Sequence, residues 1–472
     1  MSVSVARAAA FDILLRVERE SSYASELLHS ATYGRLSDAD HALATELVMG
    51  VLRWRSRLDE EIAGAASQPI IKIDLEVLVA LRLGLYQLLW LDRIPQRAAL
   101  HESVELVKRA RKHSAAPFVN AVLRKLSAAT KEAAGKTQGE SAERLAHCFA
   151  HPQWLVERWV GAYGISTARQ ICEHNQTVPA TTIRLRTPGV EEMLRREGVV
   201  LAPGGLLASA RRVMAGDIRK TRAFRSGEVV IQDEGSQLVA ALVGSAPSKE
   251  RLQILDCCAA PGGKTLALAD RNPGATITAV EIHPHRARLL RKLLSASQSG
   301  ERIHVVVGDA GNLPVSAGFD RVLADVPCSG TGTLARNLEI KWRLRADDLV
   351  EFQQRQFAIL RSALAQVAAG GRLVYSTCSL EKKEENEDVV EQALAESKSF
   401  QVVDCRRALE RLKEAGELTW PDATSLTCGP YLRTIPGIHP CEGFFAAIVE
   451  RVEGIRSDLS ATEYRLTNHN NP

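Results

Sequence analysis

The chain has 472 residues, of which 45% are hydrophobic and 25% charged, and its formal net charge is +4. These are the values of globular proteins, so they exclude wholesale disorder and fibrous repeats, and the length predicts two or three domains. The small net charge permits nucleic-acid binding through local patches but does not indicate it.

Residues 1–17 carry an apolar stretch that is broken by Arg7 and Asp12, and they lack the charged-then-apolar order of a signal peptide. We therefore predict that they form the first helix. The nine cysteines include an adjacent pair at 257–258 but no C-x-x-C pair, which fits neither a zinc site nor a disulfide framework. We expect a cytosolic protein without a bound metal.

Apolar residues recur at spacings of three and four through the first quarter of the chain, with no alternating strand pattern. This periodicity predicts an all-α domain over residues 1–128, with Ser37 and its acidic neighbours opening one helix. Residues 75–91 are strongly apolar, but they are too few to span a membrane and contain Arg82. We predict a buried core helix there and no membrane partner.

The end of this helical region is basic. Between residues 101 and 130, two glutamates stand against these basic residues: Lys108, Arg109, Arg111, Lys112, Arg124 and Lys125. Such a run suits contact with the phosphates of a nucleic acid. The alternative is a solvated helix face, and a charge run alone does not separate the two.

Residues 128–145 have few large apolar side chains and are typical of a linker. The following region, residues 146–226, combines a short helix containing Trp154 and Trp159 with an alternating run at residues 182–187. That run predicts a strand with arginines on its exposed face. We predict a small α+β domain, whose role the sequence does not indicate.

From residue 227 to residue 452 strands alternate with helices, which predicts an α/β domain with a parallel, doubly wound sheet. The predicted strands are 252–256, 276–281, 303–308, 321–325 and 372–376, and the clearest helices are 284–297 and 346–368. Ligands of such sheets bind at the carboxyl ends of the strands. The residues after 453 are polar, and we expect them to be frayed.

The first of these strands ends in a glycine turn that leads into a helix, where missing side chains let a ligand approach the backbone. The turn comprises Cys258, Ala259, Ala260, Pro261, Gly262, Gly263 and Lys264. The phosphate-binding loop of an NTPase would need a glycine five positions before Gly263, where this chain has Cys258. An NTPase is therefore disfavoured.

Acidic residues stand at the ends of the first three strands. Glu281 lies nineteen residues after Gly262, where its carboxylate can accept hydrogen bonds from both hydroxyls of a ribose. Asp309 follows the third strand, where its carboxylate could lie beside an adenine amino group. Each acidic residue alone could be a helix cap or a turn residue. Acidic residues at the ends of three successive strands together predict a cofactor that contains adenosine.

The fourth and fifth strands are each followed by a cysteine. Cys328 comes three residues after Asp325, and Cys378 comes directly after the fifth strand. Both cysteines therefore reach one crevice at the ligand-binding edge of the sheet. A lone cysteine is usually a small buried hydrophobe. We interpret the following cysteines in that way: Cys148, Cys172, Cys405, Cys428 and Cys441.

Taken together, the stretches 256–265, 325–332 and 377–379 resemble the Sun/Fmu family of RNA 5-methylcytosine methyltransferases. The resemblance extends to residues 232–237 and 443–445, and the helical region resembles a NusB-type RNA-binding domain. It implies a Rossmann-like class I methyltransferase domain that uses S-adenosylmethionine. It also implies that the cofactor lies along the turn of residues Cys258 to Lys264, with Glu281, Asp309 and Asp325 completing its site.

Carbon 5 of cytosine reacts with a methyl donor only after a thiolate has added to carbon 6. The resemblance implies that Cys378 is this nucleophile and that Cys328 assists release of the product; the residues alone do not rank them. DNA cytosine methyltransferases use the cysteine of a Pro-Cys pair, which would reverse the two roles. Asp325 could stabilise the adduct at ring nitrogen 3. Glu281 stands where many members have aspartate, and Gly330 where alanine is frequent.

The implied substrate is a cytosine of small-subunit ribosomal RNA, at position 967 of 16S rRNA, swung out of its stack into the crevice. A transfer-RNA 5-methylcytosine methyltransferase remains an alternative. A NusB-like RNA-binding regulator with an inactive enzyme domain is a second alternative, against which the presence of both Cys328 and Cys378 argues. We expect a monomer.

Overall fold

The computed structural model describes residues 3–20, 22–128, 141–245, 251–295, 297 and 300–452. The polar tail that we expect to be frayed lies outside these residues, and so does most of the predicted linker, residues 129–140. None of the described helices is long and apolar enough to cross a membrane.

The amino-terminal part is helical, as predicted. Its helices are α1 (Val5–Glu20), α2 (Ala24–Leu28), α3 (Asp38–Ala65), α4 (Leu75–Trp90), α5 (Gln96–Arg109) and α6 (Ala116–Ala128). Ser37 caps α3 by accepting a hydrogen bond from the Asp40 N–H at 3.2 Å. Helix α4 is the predicted core helix, and its buried Arg82 lies 2.6 Å from the carboxylate of Asp59.

The middle part combines helices with a small antiparallel sheet, which confirms the predicted α+β class. Its elements are α7 (Ala142–Cys148), α8 (Gln153–Tyr163), α9 (Ile165–Asn175), β1 (Thr181–Leu185), α10 (Val190–Arg196), β2 (Val200–Pro203), β3 (Ala210–Ala215), α11 (Arg222–Arg225) and β4 (Val229–Ile231). The strand order is β2-β3-β1-β4. Helix α7 begins within the predicted linker, and β4 follows residue 226. The division into 1–128, 146–226 and 227–452 therefore stays a prediction.

The prediction that β1 exposes its arginines is wrong. Arg184 is buried, and its Nη1 lies 2.7 Å from the Asp270 carboxylate of the carboxyl-terminal part. Arg186 binds the same carboxylate at 2.6 Å. The alternation does place both arginines on one face of the strand. That face is covered by another part of the chain, and ion pairing with Asp270 offsets the loss of water.

The carboxyl-terminal part contains the predicted doubly wound domain. Its strands are β5 (Gln253–Asp256), β6 (Thr276–Glu281), β7 (Ile303–Val307), β8 (Phe319–Asp325), β9 (Val367–Thr377), β10 (Phe400–Val403), β11 (Thr427–Cys428), β12 (Tyr431–Arg433) and β13 (Phe445–Arg451). Its helices are α12 (Glu234–Val243), α13 (Gly263–Arg271), α14 (Pro284–Ser295), α15 (Ile340–Arg343), α16 (Asp348–Gln366), α17 (Asp388–Ala395) and α18 (Cys405–Glu414).

The sheet has the order β11-β12-β13-β9-β8-β5-β6-β7, and β10 also pairs with β13. Strands β5 to β9 are parallel, as predicted, whereas β13 runs antiparallel to β9 and carries the remaining strands. Asp325 is in register with Ser376, and Glu281 with Val307. The ends of the parallel strands thus meet along one edge.

A short segment beyond this edge, residues 339–343, joins the sheet domain to the helical part; we call it the junction segment. Lys341 Nζ donates a hydrogen bond to the main-chain carbonyl of Arg53 at 3.1 Å. Trp342 Nε1 donates one to that of Leu52 at 2.7 Å. The helical part is therefore anchored next to the strand ends.

Candidate active site

Strands β8 and β9 bring the two predicted reactive cysteines together. Cys328 lies in the loop after β8, Cys378 follows β9 directly, and their Sγ atoms are 3.1 Å apart. The main-chain N–H of Cys378 also donates to the sulfur of Cys328 at 3.3 Å. Both side chains are free thiols and partly accessible. A reacting carbon placed at one sulfur would therefore also be close to the other.

The thiol of Cys328 is held in its protonated form. The pKa of Cys328 lies well above its usual value because its thiol hydrogen-bonds to Cys378 and because burial disfavours the thiolate. Cys328 therefore retains its proton beside the sulfur of Cys378. A protonated Cys328 fits the later role that the family resemblance implies for it.

A carboxylate and an ammonium group form an ion pair next to the cysteines. Asp325 Oδ2 lies 2.8 Å from Lys264 Nζ, and Asp325 Oδ1 accepts a hydrogen bond from the Ser376 hydroxyl at 2.7 Å. Burial disfavours the charged form of Lys264 and by itself would lower its pKa. The nearby carboxylate of Asp325 outweighs this effect, so the pKa of Lys264 is raised. The Lys264 ammonium also lies 5.2 Å from the centre of the Phe444 ring. The site thus holds fixed charges of both signs.

The glycine turn of residues 258–264 connects β5 to α13. Gly262 has a φ of +112°, and a Cβ there would lie 2.6 Å from a methyl group of Leu290, so the turn requires glycine at this position. Below the turn, the carboxylate of Asp256 accepts a hydrogen bond from the Thr265 hydroxyl at 2.8 Å. Burial raises the pKa of Asp256 to about 6. The turn is therefore held firmly against the sheet.

A cavity of about 700 Å³ runs along the ends of the strands. It is lined by these predicted site residues: Cys258, Ala260, Glu281, Asp309, Asp325, Cys328 and Cys378. The other turn residues, Ala259, Pro261, Gly262, Gly263 and Lys264, line an adjoining cavity of about 410 Å³, which Cys258 and Asp325 also border. The predicted residues thus surround two joined cavities, and the larger has the size of a small-molecule site.

Glu281 and Asp309 line the larger cavity, and each also accepts a local main-chain hydrogen bond. The Glu281 carboxylate accepts from the N–H of His283 at 2.8 Å, and that of Asp309 from the N–H of Gly311 at 2.8 Å. Asp309 therefore also serves as a turn cap, the alternative considered from the sequence. The set of groups suits an adenosine cofactor, since carboxylates can accept hydrogen bonds from ribose hydroxyls and from an adenine amino group.

A buried carboxylate that the sequence did not indicate ties the two cysteine loops together. Glu385 is fully buried, and it accepts hydrogen bonds from the Ser329 N–H and from Gln356 Nε2, both at 2.8 Å. It also accepts from the hydroxyls of Ser329 and Ser379. These serines follow Cys328 and Cys378 in the sequence. One carboxylate thus fixes the loops that carry both sulfurs.

Further carboxylates border the smaller cavity. Arg336 Nε lies 2.6 Å from Glu442 Oε1, and the main-chain N–H of Glu442 donates to the carboxylate of Asp233 at 3.2 Å. Burial raises the pKa of Asp233, and it raises that of Glu442 to about 8. The resembling stretches 232–237 and 443–445 pointed to this neighbourhood. They did not indicate an arginine between them.

Comparison with known proteins identifies the parts of the chain. The family described as 16S rRNA methyltransferase RsmB/F matches residues 245–450, the NusB family matches residues 4–128, and the ferredoxin-like domain of RsmF/B-like methyltransferases matches residues 151–196. Over 413 residues the chain is 34% identical to the probable ribosomal RNA small subunit methyltransferase B of Bacillus subtilis, covering 85% of this chain and 90% of that protein. The chain belongs to this family of 16S rRNA methyltransferases.

Other members of the RsmB/F family are similar over nearly the whole chain. The ribosomal RNA small subunit methyltransferase B of Vibrio cholerae is 30% identical over 455 residues, which cover 94% of this chain and 97% of that protein. The family resemblance predicted from the sequence is thereby confirmed, including the NusB-like domain. The chain is an RNA methyltransferase, as predicted.

Solved structures share the fold. The crystal structure of PH0851 covers 96% of this chain and all of its own with a TM-score of 0.77 at 23% identity. The structure of NSun6 from Pyrococcus horikoshii with SFG covers 64% of this chain and 99% of its own, with a TM-score of 0.52 at 19% identity. These matches confirm the architecture of the sheet domain.

Proposed function

We propose that this RsmB/F family member transfers a methyl group from S-adenosylmethionine to carbon 5 of a cytosine in small-subunit ribosomal RNA. The observation that carries the proposal is the pair of thiols of Cys328 and Cys378, 3.1 Å apart beside the ion pair of Asp325 and Lys264. The names of the relatives support ribosomal RNA as the substrate. The family resemblance implies cytosine 967 of 16S rRNA. We propose that the enzyme acts as a cytosolic monomer.

The cofactor would lie in the larger cavity, with the turn of residues 258–264 at one end. There the carboxylate of Glu281 would accept hydrogen bonds from the ribose hydroxyls, and Asp309 would lie beside the adenine. Asp325 would lie near the reactive end. When bound, S-adenosylmethionine supplies an electrophilic methyl group to the crevice.

The reaction would begin at Cys378. Its thiolate adds to carbon 6 of the cytosine, which makes carbon 5 nucleophilic enough to take the methyl group. Negative charge then develops on the ring at nitrogen 3. Asp325 would donate a proton to nitrogen 3, and its carboxylate receives that proton from the Lys264 ammonium 2.8 Å away.

Cys328 would complete the reaction: after releasing its own proton to solvent, its thiolate removes the proton from carbon 5, and the bond between carbon 6 and Cys378 then breaks, which returns the Cys378 thiolate. Before the attack, the hydrogen bond to Cys378 helps keep Cys328 protonated. Once the sulfur of Cys378 is bonded to carbon 6, it carries no charge and no longer favours the Cys328 thiol. The attack thus makes it easier for Cys328 to release its proton to solvent and then to act as the base.

The test is methyl transfer by the purified protein. Small-subunit rRNA transcripts, assembling small subunits and transfer RNA are each incubated with methyl-labelled S-adenosylmethionine. The modified nucleotide is located by bisulfite sequencing and compared with rRNA from cells with and without the protein. We expect one cytosine to become 5-methylcytosine. Preferential labelling of transfer RNA would support the transfer-RNA alternative. RNA binding without transfer to any RNA, including assembling small subunits, would support an inactive regulator.

A further inference from the structure

A third cavity, of about 250 Å³, opens beside Cys328 on the side of the helical part. It is lined by Tyr23, Arg343, Asp348, Glu351, Phe352 and Arg355, among other residues. Tyr23, Cys328 and Arg355 also line the 700 Å³ cavity, so the two spaces adjoin. The target ring must contact Cys378 and Asp325, and those two residues line the larger cavity. The third cavity, of about 250 Å³, is therefore left for another group.

Tyr23 reaches this cavity from the helical part of the chain and is held there by the junction segment. Arg343 Nη2 donates to the main-chain carbonyls of Val17, at 2.8 Å, and Ser22, on the chain leading to Tyr23. The carboxylate of Glu339 accepts from the N–H of Ala24, directly after Tyr23, at 3.1 Å. Tyr23 as a whole residue remains 37% exposed. Its position is thus fixed while part of its surface stays open.

The chemistry of the walls suits a nucleobase. Tyr23 and Phe352 offer aromatic surface, and the guanidinium of Arg343 lies 5.8 Å from the centre of the Tyr23 ring. The carboxylates of Asp348 and Glu351 would repel a phosphate, but they can accept hydrogen bonds from amino or ring N–H groups of a base. A volume of about 250 Å³ fits a single ring system better than a whole cofactor.

We propose that this cavity is a subsite for the base of a nucleotide adjacent to the target cytosine, with the ring of Tyr23 as its stacking surface. The inference rests on the proposed function, since it takes RNA in the larger cavity as given. The NusB-like domain then contributes a side chain to the crevice itself, in addition to any contacts it makes with RNA elsewhere.

The first test measures RNA binding without catalysis. In a Cys378→Ala background, Tyr23→Ala should weaken binding of a short single-stranded RNA of mixed sequence by about 5- to 50-fold. The dependence of affinity on salt should not change, because a stacked base releases no counterions. Tyr23→Phe should restore most of the affinity. Tyr33→Ala is the matched control, since Tyr33 is a partly buried tyrosine of the same domain that lines none of the three cavities.

The second test removes the base instead of the side chain. Short RNAs carrying the mapped cytosine are made with an abasic nucleotide on either side. With the wild-type enzyme, one of the two abasic RNAs should lower kcat/KM by a factor similar to that of Tyr23→Ala. With the Tyr23→Ala enzyme, the same RNA should give no further decrease in kcat/KM. Independent, multiplying losses, unchanged RNA affinity, or an equal loss in Tyr33→Ala would overturn the subsite. If wild type transfers no methyl group, the proposed function fails, while the binding test still decides the subsite.

Discussion

The reactive crevice lies between two regions, the edge of the sheet and the helical part, and the two differ in how the chain forms them. At the sheet edge, the ends of β5 to β9 deliver the acidic residues and cysteines from positions that strand register fixes. On the opposite side, the junction segment meets the helical part through contacts between residues as far as 326 positions apart, as for Arg343 and Val17. Changes at the sheet edge should therefore alter chemistry, and changes on the helical side should alter stability and RNA binding.

The largest effect is expected at Cys378. With Cys378→Ala no thiolate reaches carbon 6, so neither methylated RNA nor a covalent adduct should form. Product is followed with labelled methyl groups, and adduct is followed by denaturing gel electrophoresis. Cys148→Ala, at an exposed cysteine away from the crevice, is the control and should behave as wild type.

Cys328→Ala should stall the same reaction at a later point. Attack and methyl transfer still occur, but elimination is slow, so a complex of protein and RNA that resists denaturation should accumulate. If the Cys378 variant traps RNA and the Cys328 variant does not, the roles are reversed, as in the DNA enzymes. If both variants turn over normally, the cysteines are packing residues and the sheet edge is not the reactive region.

The next effect concerns Glu385, which we assign as a positioning residue for the two cysteine loops. Glu385→Gln removes the negative charge, so the hydrogen bonds from the Ser329 and Ser379 hydroxyls to this side chain weaken. The kcat should therefore fall about 10- to 100-fold, while KM for RNA changes little. The rate of adduct formation should fall with kcat. Glu384→Gln, at a neighbour that pairs with Arg158 instead, is the control. A lowered Tm with normal adduct formation would make Glu385 purely structural.

The two regions differ in how far the sequence predicted them. The positions of Cys328, Cys378 and Glu281 at one edge could be predicted, because these residues end or closely follow strands with clear hydrophobic patterns, and parallel strands end at one edge. The position of Glu385 could not, since it lies in a charged run, residues 381–387, that is typical of an exposed helix. Its burial depends on a π-helical turn that no local pattern indicates.

The same limit applies to long polar side chains elsewhere. The alternation around Arg184 correctly gave its strand, but not the Asp270 that covers its side chain. Tyr23 carries no motif, and its place at the crevice depends on Arg343, far away in the sequence. Periodicity reports local geometry, whereas the partner of a side chain depends on how separate parts of the chain pack.

At the cofactor end of the sheet edge, Glu281→Ala should weaken S-adenosylmethionine binding by about 1 to 3 kcal/mol, the loss expected when hydrogen bonds to a charged group vanish. Isothermal titration calorimetry measures this directly. Glu281→Asp keeps the negative charge on a shorter side chain, so its loss of S-adenosylmethionine affinity should be smaller. RNA affinity should not change in either variant. An unaltered cofactor affinity in Glu281→Ala would remove this residue from the site.

On the helical side, Lys341 should give a pH-dependent stability. It is buried and donates to the carbonyls of Arg53 and Ala150, and burial lowers its pKa to about 7. Between pH 7 and about 10.4 the unfolded chain binds a proton that the native state does not, so stability rises with pH. Below pH 7 both states are protonated and the contribution is flat.

The free energy of unfolding of wild type relative to Lys341→Met should therefore rise from pH 7 to pH 10, by at most about 1.4 kcal/mol per pH unit. The difference in Tm between the two proteins should grow in the same direction. Differential scanning calorimetry at several pH values measures it. The same comparison with Lys292→Met, at an exposed lysine, should give a constant difference. A constant difference for Lys341 as well would mean that its amine stays protonated in the folded protein.

The smallest effect is expected in the basic run of the helical domain, because much of its charge is already paired. Its ion pairs are Lys108 with Glu105 at 2.7 Å, Arg109 with Asp12 at 2.9 Å and Lys112 with Asp74 at 2.7 Å. Arg111 and Arg124 are exposed and have no carboxylate partner among the described residues. These two arginines are therefore the best candidates for phosphate contact.

Arg111→Gln with Arg124→Gln should weaken RNA binding about 2- to 5-fold at low salt and flatten its salt dependence, by about one unit of slope for each lost phosphate contact. The paired lysines, changed together as Lys108→Gln and Lys112→Gln, should have a smaller effect. Reversing Lys108, Arg109, Arg111 and Lys112 to Glu should weaken RNA binding further and leave cofactor affinity unchanged. If even that variant binds RNA normally at low salt, the run is a solvated face. The helical domain would then act on RNA through the junction and Tyr23, beside the crevice that the sheet edge builds.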